Sequence, residues 1–139
     1  MINQFRGEYF FLSNFFESPI IYRGISYKNN EAAFQAQKVN SHDEQSEFSN
    51  LTPADAKRKG RRVRLRKDVD WDSVKTTYMY EIVKAKFMQN AELRIKLLET
   101  GNEHLEEGNT WGDRIWGTVN GVGQNRLGKI LMRVREELK

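Results

Sequence analysis

With 139 residues, 38% of them hydrophobic and 30% charged, the chain is long enough to bury a core without cross-links, and it reads as one domain spanning 1–139. It has no cysteine, which excludes disulfides, thiolate nucleophiles and cysteine-ligated metal, and no apolar run near the roughly 20 residues a membrane span needs. The net charge of +4 is local: eight basic residues and no acid lie between Lys57 and Lys67, while the other 128 residues carry 15 basic against 19 acidic groups.

The N-terminus shows no basic leader with an apolar core and small-residue cleavage site, so a cytoplasmic protein is expected. Phe5 to Phe16, FRGEYFFLSNFF, is too aromatic for a loop and lacks helical periodicity, so it reads as extended with a turn at Ser13 and Asn14. Ile20 to Tyr27 is β-branched and aromatic around Gly24, which predicts a small antiparallel hairpin turning between Tyr22 and Ile25. Asn29 and Asn30 are good N-caps for a helix starting near Glu31. On it Ala32, Ala33, Ala36 and Val39 share one side, and Glu31, Gln35 and Lys38 line the other. That polar row is either a solvated face or a pair of charges, Glu31 and Lys38, turned together into a cleft.

His42 to Leu51 reads as loop or frayed helix. Thr52, Pro53 and Asp55 form a helix start, with Gly60 as its stop. The basic run follows: Val63 and Leu65 alternate with Arg62, Arg64 and Arg66 at period 2, as in a short strand or extended loop. Such a run is either a solvated surface or a site for an anionic partner, phosphate or nucleic acid. Trp71 to Gln89 carries the longest helical pattern, Asn90 caps a further helix ending at Gly101, and Asn125 to Leu138 is a last amphipathic helix. The fold class that follows is mainly α (α+β), a single multihelical domain with a small N-terminal β element.

Between the last two helices, Glu106 to Gly128 holds six of the ten glycines, with Trp111 and Trp116 flanking Asp113. Aromatic faces beside a carboxylate suit a planar base joined to a sugar; the same residues also suit a glycine-rich loop whose tryptophans plug a core. His42 and His104 lie in no ligand pattern, and no GxGxxG, GxxxxGK[ST] or GxSxG motif is present. What remains suits cleavage of a sugar–base bond, where a carboxylate stabilises positive charge on the sugar or activates water and arginines hold phosphate.

Six blocks in order carry a more specific signal: FRGEYFFLSNF at 5–15, NNEAAFQAQK at 29–38, PADAKRKGR at 53–61, YMYEIVKAKFMQN at 78–90, LLETGNEHLEEGNTWGDRIWG at 97–117 and GQNRLGKILMRVR at 123–135. Through them the chain resembles the NADAR (NAD and ADP-ribose associated), or YbiA-like, family over nearly its whole length. The resemblance implies a mainly helical domain and N-glycosidase activity, without metal or other cofactor. The expected substrates are nucleotide-like: phosphorylated riboflavin-pathway intermediates, or ADP-ribosylated guanine, free or in nucleic acid. It also implies Glu31, Lys38 and Asp113 as catalytic positions and Phe11, Asn14, Gln35, Arg61, Trp111, Trp116 and Asn125 as substrate-binding ones. Lys38 has two open roles, a phosphate clamp or an amine forming a Schiff base with an opened ribose. The alternative to an enzyme is a non-catalytic module holding ADP-ribose or nucleic acid on the 57–67 run. The sequence leaves the oligomeric state open.

Overall fold

A computed structural model describes residues 1–139. It resolves into two compact units, one formed by Asn14–Gln89 and the other by Met1–Ser13 with Asn90–Lys139. The first holds a hairpin and four helices. Strands β1 (Glu17–Tyr22) and β2 (Ile25–Asn29) pair antiparallel, with Ile20 opposite Tyr27 and Tyr22 opposite Ile25. Their two-residue turn, Arg23 and Gly24, has positive φ at both positions, the twist that suits a tight hairpin. Alternation buries Ser18, Ile20 and Tyr22 on β1 and Ile25, Tyr27 and Asn29 on β2. The register slips between Glu17 and Ile20, where Pro19 has no N–H for the ladder. The outer edge of β1 is closed by one side chain: the Gln89 carboxamide accepts from the Ile21 N–H at 2.8 Å and donates to its carbonyl at 2.9 Å.

Helix α1 (Asn30–Ala36) begins on Asn29, whose side chain accepts the Ala32 N–H, and all seven of its residues are buried. β1, β2, α2 (His42–Ser46), α3 (Pro53–Arg62) and α4 (Trp71–Gln89) all pack against it. Beyond Ala36 the bonding tightens to i→i+3, Lys38 N–H to Gln35 and Val39 N–H to Ala36, so Lys38 sits in a narrow final turn. The start of α3 is as the sequence indicates, with Thr52 accepting the Asp55 N–H and Pro53 in the first turn. Gly60 does not stop it. The helix runs on to Arg62, and Gly60 is a buried interior position where α1 approaches. Residues 64–67 form no strand. Helix α4 buries Tyr78, Met79, Ile82, Val83 and Phe87, and Lys86 beside them.

In the other unit the aromatic N-terminus is a 3-10 helix, Gly7–Leu12, rather than extended chain. Gly7 has φ of +58°, and Phe11 and Leu12 are the buried residues of two tight turns, too brief and too tightly wound to show a 3.6-residue period. Helices α5 (Ala91–Glu99) and α6 (Arg126–Glu137) supply Leu93, Leu97, Leu127, Ile130, Leu131 and Val134 to its core. The fold is α+β, mainly helical with one two-stranded sheet. No helix is long and apolar enough to cross a membrane.

Candidate active site

The polar row of α1 points into protein. Glu31 and Gln35 are 8% and 6% exposed, and Lys38 is half-buried, so of the two readings open from the sequence the solvated face is excluded. The Glu31 N–H donates to the Asn14 carbonyl at 3.1 Å. Asn14 is itself held: its Oδ1 accepts from Asn30 Nδ2 at 3.3 Å, and its Nδ2 donates to Met79 Sδ at 3.4 Å. In the first turn of α1 the Glu31 carboxylate lies at the end of the helix dipole that favours negative charge. Gln35, one turn on, donates from Nε2 to Glu31 Oε1 at 3.1 Å.

Lys38 donates from Nζ to the Gly60 carbonyl at 3.3 Å. Burial pushes its proton affinity below the ordinary lysine value; the Glu31 carboxylate acts in the opposite direction, and Arg61 and Lys75 push it down further. Asn14, Glu31, Gln35, Lys38 and Arg61 are therefore brought together within the Asn14–Gln89 unit. Trp71 belongs to the same unit, its ring 5.3 Å from Phe34 and 6.0 Å from Tyr78 between centroids. From the sequence Trp71 is visible only as the first residue of a helix. Phe34, three residues after Glu31, was the available sign that an aromatic partner would stand there.

The basic run divides by partner. Arg58 pairs with Asp55, Lys59 with Glu47 at 2.8 Å, and Lys57 lies over the Phe15 ring. Arg66 forks onto Asp68 with two contacts of 2.7 Å, and also reaches the Gln37 carbonyl and the Tyr78 hydroxyl at 3.3 Å each. Arg61, Arg62, Arg64 and Lys67 make no ion pair. Arg64 and Lys67 line an open cleft of about 310 Å³ with Val39, Asn40 and Glu44.

The other predicted residues lie in the second unit. Asp113 organises its own loop: Oδ1 accepts the N–H groups of Ile115 at 3.0 Å and Trp116 at 2.9 Å, while the Asn109 side chain bonds both its N–H and its carbonyl. Trp111 is 56% exposed, and Trp116 is half-buried. Asn125 is committed at both ends of its amide, accepting from the Glu107 N–H at 3.0 Å and donating to the Leu105 carbonyl at 2.9 Å. Gly128 lets that side chain pass, because a Cβ there would strike Asn125 and the Leu105 carbonyl. Phe11 is buried with Lys96 Nζ 5.8 Å from its ring centre. No three histidine or carboxylate side chains converge as a metal site would require.

A family model described as the NADAR domain matches residues 3–139. The chain is 41% identical over 128 residues to the N-glycosidase YbiA of Shigella flexneri, covering 91% of this chain and 79% of that protein. It is 37% identical over 131 residues to a riboflavin biosynthesis protein of Vibrio vulnificus, covering 93% of this chain and 35% of that protein. The NMR structure of Escherichia coli YbiA superposes with a TM-score of 0.83 at 38% identity, over 99% of this chain and 86% of that one.

Proposed function

Because the chain belongs to the NADAR family, we propose that it is a hydrolase of N-glycosyl compounds, cleaving the bond between a ribose and a nitrogen base. The substrate is a ribosyl-phosphate or an ADP-ribosyl compound; a phosphorylated riboflavin-pathway intermediate and ADP-ribosylated guanine both fit that description. The observation that carries the reading is Glu31: a carboxylate buried to 8% exposure, hydrogen-bonded by Gln35, on the same side of the chain as the half-buried Lys38 amine. As the sugar–base bond breaks, positive charge develops on the ribose ring, and a fixed carboxylate in a poorly hydrated site stabilises that charge or takes the proton of the attacking water. Arg61 serves the phosphate end. Asp113, Trp111, Trp116, Phe11 and Asn125 remain in the proposal on their sequence motifs alone.

The test is Glu31→Gln, which keeps size and hydrogen bonding and removes the charge. Release of free base from a panel of riboflavin intermediates and ADP-ribosylated nucleotides, read by mass spectrometry, is expected to fall about a hundredfold or more. Near-parental turnover by a folded Glu31→Gln protein defeats the assignment. A second reading, a module that holds ADP-ribose or nucleic acid without turnover, draws on the five cations of the basic run that make no ion pair, Lys57, Arg61, Arg62, Arg64 and Lys67. It requires strongly salt-dependent binding and no free base released at any time.

A further inference from the structure

The Gln35 side chain is the one partner of Glu31 that is itself left incomplete. Its Nε2 donates to Glu31 Oε1 at 3.1 Å, while its Oε1 is buried with no hydrogen-bond donor. The placed orientation, with Nε2 rather than Oε1 against Glu31, is the one an ionised carboxylate favours. The stranded oxygen faces Gly60: a Cβ built on Gly60 would fall inside the contact distances of Gln35 Oε1 and Cδ and within 3.2 Å of Gln35 Cβ. A buried acceptor without a donor is costly, and such groups are rare in native proteins. Here the same geometry that orphans Oε1 turns Nε2 toward Glu31, where it donates to Oε1. Gly60 therefore does more than permit two helices to approach, because any larger residue would drive the carboxamide off the carboxylate.

We propose that Gln35 is a positioning residue for Glu31, and that Gly60 on α3 is the seat that holds it in place. Gln35 acts through the carboxylate and touches no reacting atom, which replaces the substrate-binding role expected of it from its motif. The inference rests on Glu31 being the working carboxylate. It requires that removing the donor, or filling the seat, leave Glu31 buried in place with a less firmly oriented side chain. Substrate binding would then survive and the chemical step would suffer.

Two variants and their combination test it. Gln35→Met keeps the length and volume of the side chain and cannot donate; Gly60→Ala keeps Gln35 and displaces it. Both are expected to melt cooperatively, to lower kcat roughly 10- to 100-fold and to leave KM within about twofold, as for an interaction that matters in the transition state. The double variant is expected to lose no more than the worse single one, because both remove the same hydrogen bond. A kcat near the parent's in Gln35→Met, or losses that multiply in the double variant, overturns the proposal. A readout without substrate separates it from the functional reading: the ¹³C signal of the Glu31 carboxyl, in selectively labelled protein, is expected to move in both single variants. An unmoved signal in both overturns the coupling. A moved signal in a protein whose Glu31→Gln variant still turns over leaves the coupling standing and removes the catalytic role of Glu31.

Discussion

A Schiff base at Lys38 requires a neutral amine, whereas a phosphate clamp requires a charged one. The surroundings of Lys38 bear on that choice: burial is the largest influence and lowers its proton affinity, Arg61 and Lys75 add to the lowering, and only the Glu31 carboxylate opposes it. The lowering is in the direction a Schiff-base amine needs, and the half-buried amine donates to the Gly60 carbonyl. Borohydride added during turnover is therefore expected to trap a ribosyl adduct on Lys38, located by peptide mass spectrometry. Lys38→Arg keeps the positive charge but has no nucleophilic amine, and its expected loss of turnover is at least a hundredfold. Full activity in Lys38→Arg, together with no adduct in the parent protein, would assign the residue to phosphate instead. Asp113 contrasts with Glu31 at the same scale: one of its oxygens is committed to two backbone N–H groups of its own loop. The loss in Asp113→Ala will therefore mix loop disorder with chemistry.

The basic run behaves as two elements. Its α3 part and the 64–67 segment expose Arg61, Arg62 and Arg64, whereas Arg66 is bound by Asp68, the Gln37 carbonyl and the Tyr78 hydroxyl and so ties its segment to the end of α1 and to α4. Single replacement of Arg61, Arg62 or Arg64 by alanine is expected to raise KM about fivefold with little change in kcat, the mark of a phosphate contact made equally in ground and transition states. Arg66→Ala is expected to lower Tm instead. Unchanged KM in all three exposed variants would make the run an ordinary solvated surface. Much of this arrangement is legible in the chain. The hairpin turn at Arg23 and Gly24, the Asn29 cap, the Thr52 and Pro53 start and the whole span of α4 follow from local rules, because each is decided by residues within a few positions. Gly60 is ambiguous in the sequence because glycine carries two local meanings, helix stop and close approach, and only the neighbouring helix distinguishes them. The Glu31, Gln35 and Lys38 row was visible as a period but not as buried, since burial depends on how many elements pack around α1. The split of the arginines into bound and free was beyond sequence reach for the same reason: Asp68 is adjacent, but Tyr78 and Gln37 are not.

For the molecule as a whole, a strong pH lever is a lysine outside the proposed chemistry. Lys86 is 1% exposed, with its Nζ 5.6 Å from the Phe16 ring centre and 5.2 Å from that of Phe87. Burial pushes its pKa down from 10.5 to about 7; the two ring faces favour the ammonium and work against that push. The sign follows from proton counts. Between about pH 7 and 10.5 the unfolded chain holds a proton on Lys86 that the folded chain has released, so stability rises with pH across that window, by at most about 1.4 kcal/mol per unit. Below about pH 7 both states hold the proton, and the folded protein bears the net cost of a buried ammonium. Lys86→Met fills the same volume without the charge. Its stability advantage over the parent, measured by urea unfolding, is expected to be greatest at pH 6 to 7 and to shrink steadily toward pH 10, reaching several kcal/mol at its largest. An advantage that stays constant from pH 6 to 10 would mean that Lys86 titrates alike in both states and that its proton is retained inside the fold. A parent protein more stable than Lys86→Met at every pH would assign the amine a net stabilising role, in which its interactions with the two rings outweigh desolvation.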